Sequence, residues 1–234
     1  MLITGAHPLA IGMANALAAR GDDVRVVAAE PGSGWSTDRT IACGFASEAE
    51  VERALAEGVA QLGGLDQLVH AWVAPGLLVE RPFDEVAPDE WITACEGSLE
   101  GAWWLMRHLR EPLASSGGGT VVFVVPSIAL AGAAGFSMLA TVAEGLRVLA
   151  KGCGRQWAKN AITVNTVATA PHHWVSDHAG AVLTRAISLS TPAFGTQGDV
   201  AADLAPLVAA LAGTDMHFLT AGTLVADGGL WMGL

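Results

Sequence analysis

Residues 118–168 read GGTVVFVVPSIALAGAAGFSMLATVAEGLRVLAKGCGRQWAKNAITVNTVA. Two short apolar runs, Thr120–Val125 and Ile162–Ala168, flank a longer stretch of helical period, Gly135–Ala158. Apolar runs of about four to eight residues fit buried strands, whereas a longer stretch with apolar positions three and four apart fits an amphipathic helix. The order strand, helix, strand is the repeating unit of a parallel sheet covered by helices.

The same alternation continues outward in both directions. Further strands are predicted at Leu2–Thr4, Val24–Ala29, Ile41–Cys43, Gln67–Trp72 and Thr223–Ala226, and further helices at Leu9–Arg20, Ser47–Leu62, Pro88–Leu113 and Val200–Ala212. Ser47 can cap the free amides of its helix, and Glu48 and Glu50 suit the positive end of the helix dipole. Ser115–Gly119 reads as a turn, and Glu30–Arg39 and Thr169–Thr191 as irregular loops. The pattern predicts one α/β domain over residues 1–234, a Rossmann-like, doubly wound, seven-stranded parallel sheet with helices on both faces. Loops after the strands then border the ligand crevice.

Composition excludes several function classes. The chain is 52% hydrophobic and 15% charged, with a mean hydropathy of +0.44, so much of its surface is expected to be covered by other subunits. No run of about 18 apolar residues goes uninterrupted by Gly, Pro or a charge, and the opening MLITGAHP lacks a basic, apolar leader; no membrane span and a cytoplasmic protein are expected. A net charge of −11 with only Lys151 and Lys159 as lysines argues against a nucleic-acid partner, because phosphate binding needs clustered cations. Cys43, Cys95 and Cys153 are too scattered for a disulfide framework, and the seven histidines lack the spacing of a metal site, so no metal is expected.

Several stretches together resemble the short-chain dehydrogenase/reductase family. Ile3-Thr4-Gly5 ahead of a helix is similar to its TGxxxGxG phosphate loop, and Leu65–Val69, Gly118–Phe123, Ile162–Val167 and Phe218–Gly229 resemble its later segments in the same order. In that family a serine after the fifth strand, a Tyr-x-x-x-Lys on the next helix and an asparagine on the preceding helix carry out hydride chemistry with NAD(P). The resemblance places Ser127 at the serine, Leu139 at the tyrosine, Ala143 at the lysine and Ser98 at the asparagine. The chain contains no tyrosine at all, so no displaced phenol can substitute. General acid–base groups contribute roughly 3–5 kcal/mol to a barrier, and a lone serine does not replace that proton donor.

The cofactor positions differ as well. The loop Thr4–Gly12 is one residue longer than the family's spacing and has Ala10 for its middle glycine; Gly5, Ile11 and Gly12 remain as cofactor-binding candidates, with Glu30 as a candidate for the ribose acid. Backbone amides must approach the pyrophosphate closely there, and Cβ atoms and Pro8 obstruct that approach. The family's Asn-Asn-Ala-Gly after the fourth strand reads His70-Ala71-Trp72-Val73, and its Pro-Gly after the sixth reads Thr169-Ala170. No cofactor is therefore expected in this chain.

The resemblance implies a catalytically inactive subunit that pairs with an intact NAD(P)-dependent dehydrogenase of alcohol or hydroxyacyl substrates, in a heterodimer or heterotetramer; the partner would bind the NAD(P). A homo-oligomer is the other assembly it allows. The alternative is an enzyme of non-redox chemistry, a lyase, isomerase or hydrolase, using Ser127, His70, His172 or Glu144 in the emptied crevice, and a third is a ligand-sensing or scaffold protein. Each candidate also has a plainer reading: Ser127 as a loop-bonding side chain, Glu144 as the partner of Arg147, and His172, His173, Trp174 and Asp177 as a polar surface loop. Trp103-Trp104 and the apolar tail Gly229–Leu234 fit subunit contacts, with core packing as the competing role of the tryptophans.

Overall fold

A computed structural model of the protein describes residues 1–174, 192–196 and 198–232. Seven strands form a single sheet: β1 Leu2–Thr4, β2 Arg25–Ala28, β3 Thr40–Ala42, β4 Gln67–His70, β5 Gly119–Pro126, β6 Ile162–Thr169 and β7 Thr223–Ala226. Their spatial order is β3-β2-β1-β4-β5-β6-β7, and every neighbouring pair is parallel. The chain winds outward one way from β1 and the other way from β4, so the switch point of this doubly wound fold lies between β1 and β4. The central strands are buried along their length, which is why they read as continuous Val/Ile/Leu runs rather than as alternating ones.

Among the described residues, five longer helical segments cover the sheet. Helices α1 (Pro8–Ala19) and α6 (Ala205–Ala212) pack together on one side, while α2 (Glu48–Leu62), α4 (Gly97–Ser115) and α5 (Ser137–Trp157) pack on the other. A short α3 (Pro88–Trp91) leads into α4. Ser47 caps α2 as expected, accepting the amide of Glu50, and Gly63 ends it in the left-handed conformation at φ 69°. The strand and helix order agrees with the sequence reading, with ends displaced by one or two residues.

Two helices depart from a plain α-helical reading. Ile92–Glu96 is a π-helical turn inside the segment predicted as one helix from Pro88, and Val200–Leu204 is another just before α6. Apolar period does not distinguish i→i+4 from i→i+5 bonding over a single turn, so the sequence carries no sign of either. Ser98 Oγ donates to the Ala94 carbonyl at 2.7 Å beside the first turn and so satisfies an acceptor there.

Among the described residues no helix is long and apolar enough to cross a membrane. Also among them, no group of three His, Cys, Asp or Glu side chains is placed to hold a metal ion.

Candidate functional site

The crevice at the switch point starts from Thr4, the last residue of β1. Its side chain is fully buried and its Oγ1 accepts the amides of Ala71 and Trp72 at 3.2 and 3.3 Å, fixing the turn after β4. Those two bonds use the oxygen's lone pairs, so its proton goes to His70 Nδ1 at 2.9 Å. His70 therefore carries its own hydrogen on Nε2, which is buried without a partner among the described residues. The ring is fully enclosed between Phe45 and Phe123 in edge contacts, and burial pushes its pKa down to about 3. His70 is thus a neutral core histidine.

The loop after β1 makes the sharp turn that Gly5 permits at φ 108°. His7 follows as the residue before α1, and the extra residue of this loop turns its ring into the crevice. His7 Nε2 donates to the Ala71 carbonyl at 2.7 Å, and burial lowers its pKa. Trp174, from the segment after β6, lies on it with ring centres 4.9 Å apart. Trp174 is only 4% exposed, and its indole N–H donates to Thr169 Oγ1 at 2.8 Å. The two rings join the ends of β1, β4 and β6 across the mouth of the sheet.

The segment after β2 closes the other half. A Cβ placed on Gly32 would fall 2.4 Å from Ile11 Cγ1 and 2.7 Å from the Ala6 carbonyl, so this turn rests directly on the glycine loop and only glycine fits there. Asn15 Nδ2 holds the turn through the Gly34 carbonyl at 3.3 Å. Ile11 is 4% exposed beneath it, and Gly12 packs against Val200 of the second π turn. On one side of this contact lies a cleft of about 490 Å³ lined by Ala6, His7, Glu30, Trp72 and Leu78. On the other lies one of about 420 Å³ lined by Pro8, Ile11, Gly12 and Asn15. Glu30 is exposed at the rim of the larger one.

On the far side of the sheet, Leu139 and Ala143 are buried one turn apart on α5. Ser127, just beyond β5, is fully buried, and its Oγ has no hydrogen-bond partner among the described residues. The expectation that it bonds a loop is not met among the described residues. Ser98 Oγ donates to Ala94 and accepts the Ala74 amide at 3.0 Å, tying α4 to the loop after β4. Glu144 forms the expected ion pair with Arg147, with Nε contacts of 2.8 and 3.0 Å. Trp104 packs partly against the core, whereas Trp103 is 47% exposed. Asp177 lies outside the described residues.

A sequence family described as Enoyl-(Acyl carrier protein) reductase matches residues 6–231. The chain belongs to the short-chain dehydrogenase/reductase family. Among its relatives, a short-chain dehydrogenase/reductase of Hericium erinaceus is 27% identical over 79% of this chain and 73% of its own length. The 3-oxoacyl-(acyl-carrier-protein) reductase of Vibrio cholerae is 26% identical over 99% and 96%. A 3-ketoacyl-(acyl-carrier-protein) reductase from Brucella melitensis, solved as a complex with NADH, superposes with a TM-score of 0.80 at 21% identity, covering 98% and 96%. That likeness extends the whole fold across the chain.

The sequence reading missed the pairing of His7 with Trp174. Its signal was present in the lengthened glycine loop, which had to place an additional side chain somewhere, but nothing linear connects residue 7 to residue 174. Leu139 and Ala143 are buried on α5, Ser98 on α4 and Ser127 just after β5, while His70, read as a crevice residue, is enclosed in the core.

Proposed function

We propose that this short-chain dehydrogenase/reductase is catalytically silent and serves as a structural subunit of a heteromeric oxidoreductase. Its partner is an intact NAD(P)-dependent member acting on an alcohol or hydroxyacyl substrate, and the partner supplies the dinucleotide. The observation that carries this reading is the apolar pair Leu139 and Ala143, buried on α5, beside a crevice that the contacts of His7 with Trp174 and of Gly32 with Ile11 narrow to two clefts.

The residues present fit a dinucleotide poorly. A pyrophosphate is held by amides of a glycine loop open to the ligand, and here Gly32 lies in contact with that loop. His7 stands at the helix N-terminus but is neutral near pH 7, so it offers an anion no charge. Trp174 fills the space at the end of β6 and donates its N–H to its own chain. At the proton-transfer corner, Leu139 and Ala143 have no ionisable group, and a general acid needs a pKa near the working pH. His70, at about 3, does not meet that need.

What the chain's residues do accomplish is to lock the fold without a ligand. The aromatic contact and the Thr169 hydrogen bond order the same strand ends that a cofactor would otherwise bridge. A non-redox reaction in the crevice is less well served, because Ser127 and His70 are enclosed. A cytoplasmic setting suits the three free thiols.

The test is to express the tagged chain together with the intact family member encoded nearest to it. Co-elution at fixed stoichiometry, with a change in the partner's kcat or Tm, is expected. Oxidoreductase turnover by the purified chain alone would overturn the proposal.

A further inference from the structure

At the end of the sheet opposite the switch-point crevice, where β1, β2 and β4 begin, lies a cleft of about 460 Å³. Met1 lines it together with Asp22 and Asp23 from the turn between α1 and β2, Asp66 and Gln67 at the start of β4, and Ser116 just beyond α4. Main-chain bonds hold these walls in place. Ser116 Oγ accepts the Leu65 amide at 3.2 Å, the Asp66 carbonyl accepts the Thr120 amide at 2.9 Å, and Met1 N donates to the Asp23 carbonyl at 3.0 Å.

Two features of the lining are unanswered within the chain. Asp23 is paired with Arg25, whereas Asp22 and Asp66 form no ion pair with an arginine or lysine among the described residues. Burial lowers the pKa of the Met1 nitrogen and Asp66, Asp23 and Asp22 act against that, so the three carboxylates converge on one place. Gln67 is the second feature. It is 1% exposed and its Nε2 donates to the Val208 carbonyl of α6 at 3.0 Å, but its Oε1 is buried with no hydrogen-bond partner among the described residues. Buried acceptors are normally satisfied, and one that lines a cleft is satisfied by what enters it.

We propose that this cleft binds a small organic cation rich in N–H donors, a guanidinium or primary ammonium compound, with its charge at Asp22 and Asp66 and one N–H on Gln67 Oε1. The lining selects that chemistry. Two carboxylates and an amide oxygen are acceptors, so an anion is repelled and a ligand without N–H or O–H groups leaves Gln67 unsatisfied. A metal ion is not served either, because among the described residues no group of three His, Cys, Asp or Glu side chains is placed to hold one. A guanidinium carries its charge on a planar fork of five N–H donors, enough for both carboxylates and the amide oxygen at once. Met1 N is directed to a main-chain carbonyl, which leaves these three acceptors to the ligand. The site is separate from the crevice and does not depend on the heteromer proposed above.

The experiment is calorimetric titration of the purified full chain at low salt with butylguanidine, and with butylurea as a neutral probe of nearly the same shape. Saturable binding of butylguanidine with a Kd below about 1 mM is expected, and butylurea is expected to bind at least about tenfold more weakly. The D22N/D66N variant keeps the size of the lining and is expected to lose about tenfold or more in affinity, and Gln67→Leu about threefold or more. D84N/E85Q removes the same number of charges from an exposed segment elsewhere and is expected to bind like wild type. Circular dichroism and Tm of each variant confirm that folding is retained. Absence of saturable binding by the wild type would overturn the proposal. So would butylurea binding as tightly as butylguanidine, D22N/D66N or Gln67→Leu binding as tightly as wild type, or equal weakening by D84N/E85Q, which would mean attraction to net charge alone.

Discussion

Replacing Trp174 by alanine is expected to cost about 3–5 kcal/mol of stability, the range found for removing a buried large aromatic side chain. The ring is 4% exposed and lies against His7, so its removal leaves a cavity in the crevice rather than a relieved surface. Its N–H also satisfies Thr169 Oγ1, and that hydroxyl, fully buried, would be left without its partner. Domains of this kind are stable by about 5–15 kcal/mol in total, so the loss is a large share of what holds the chain folded. Urea denaturation checks it as a lowered midpoint with an unchanged m-value. A cost below about 1 kcal/mol, the range of surface substitutions, would mean that the indole is not seated between β1 and β6.

Acid is expected to destabilise the protein through His70. In the unfolded chain this histidine takes up a proton as pH falls through its ordinary value of 6.5, whereas the folded chain keeps it neutral down to about 3. Between those values the unfolded state binds more protons, so stability is fully present above pH 6.5 and declines as pH falls toward 3. The slope for one such group is about 1.4 kcal/mol per pH unit, which amounts to about 3 kcal/mol by pH 4.5. His7 is lowered by burial too and acts in the same direction. Carboxylates contribute their own acid dependence, so the informative quantity is the difference between wild type and His70→Asn, an amide that cannot titrate. Denaturation midpoints from pH 7 to pH 4.5 are expected to fall less steeply for the variant, by about one proton's slope. Parallel profiles would show that His70 is exposed to water in the folded chain.

The fold was legible because it rests on features that linear sequence carries. Strands such as Thr120–Val125 and Ile162–Ala168 are buried on both faces, so they appear as unbroken apolar runs, and the helix between them keeps its period. Ser47 and Glu50 likewise announced the start of α2 by local chemistry alone. The two π turns left no such trace, since one additional residue in a turn leaves the apolar face almost where it was. At the crevice, the absence of tyrosine and the apolar residues Leu139 and Ala143 were visible directly. Its closure was not. Gly32 over Ile11 and His7 against Trp174 are contacts between segments 21 and 167 residues apart, and each residue alone looks like ordinary loop composition. His70 shows the same limit from the other side. A histidine at the end of a crevice strand reads as chemistry, and only its bond to Thr4 and its place between two phenylalanines mark it as core.

The narrowed crevice is the centre of the account, and a titration of the purified chain with NADH and NADPH tests it most directly. Eight tryptophans, with Trp174 and Trp72 at the crevice, give a fluorescence readout of any dinucleotide bound there. The account predicts no saturable change up to about 1 mM, the concentration at which an interaction of about 4 kcal/mol half-fills its site. Saturation with a Kd at or below about 100 µM for either nucleotide would contradict it.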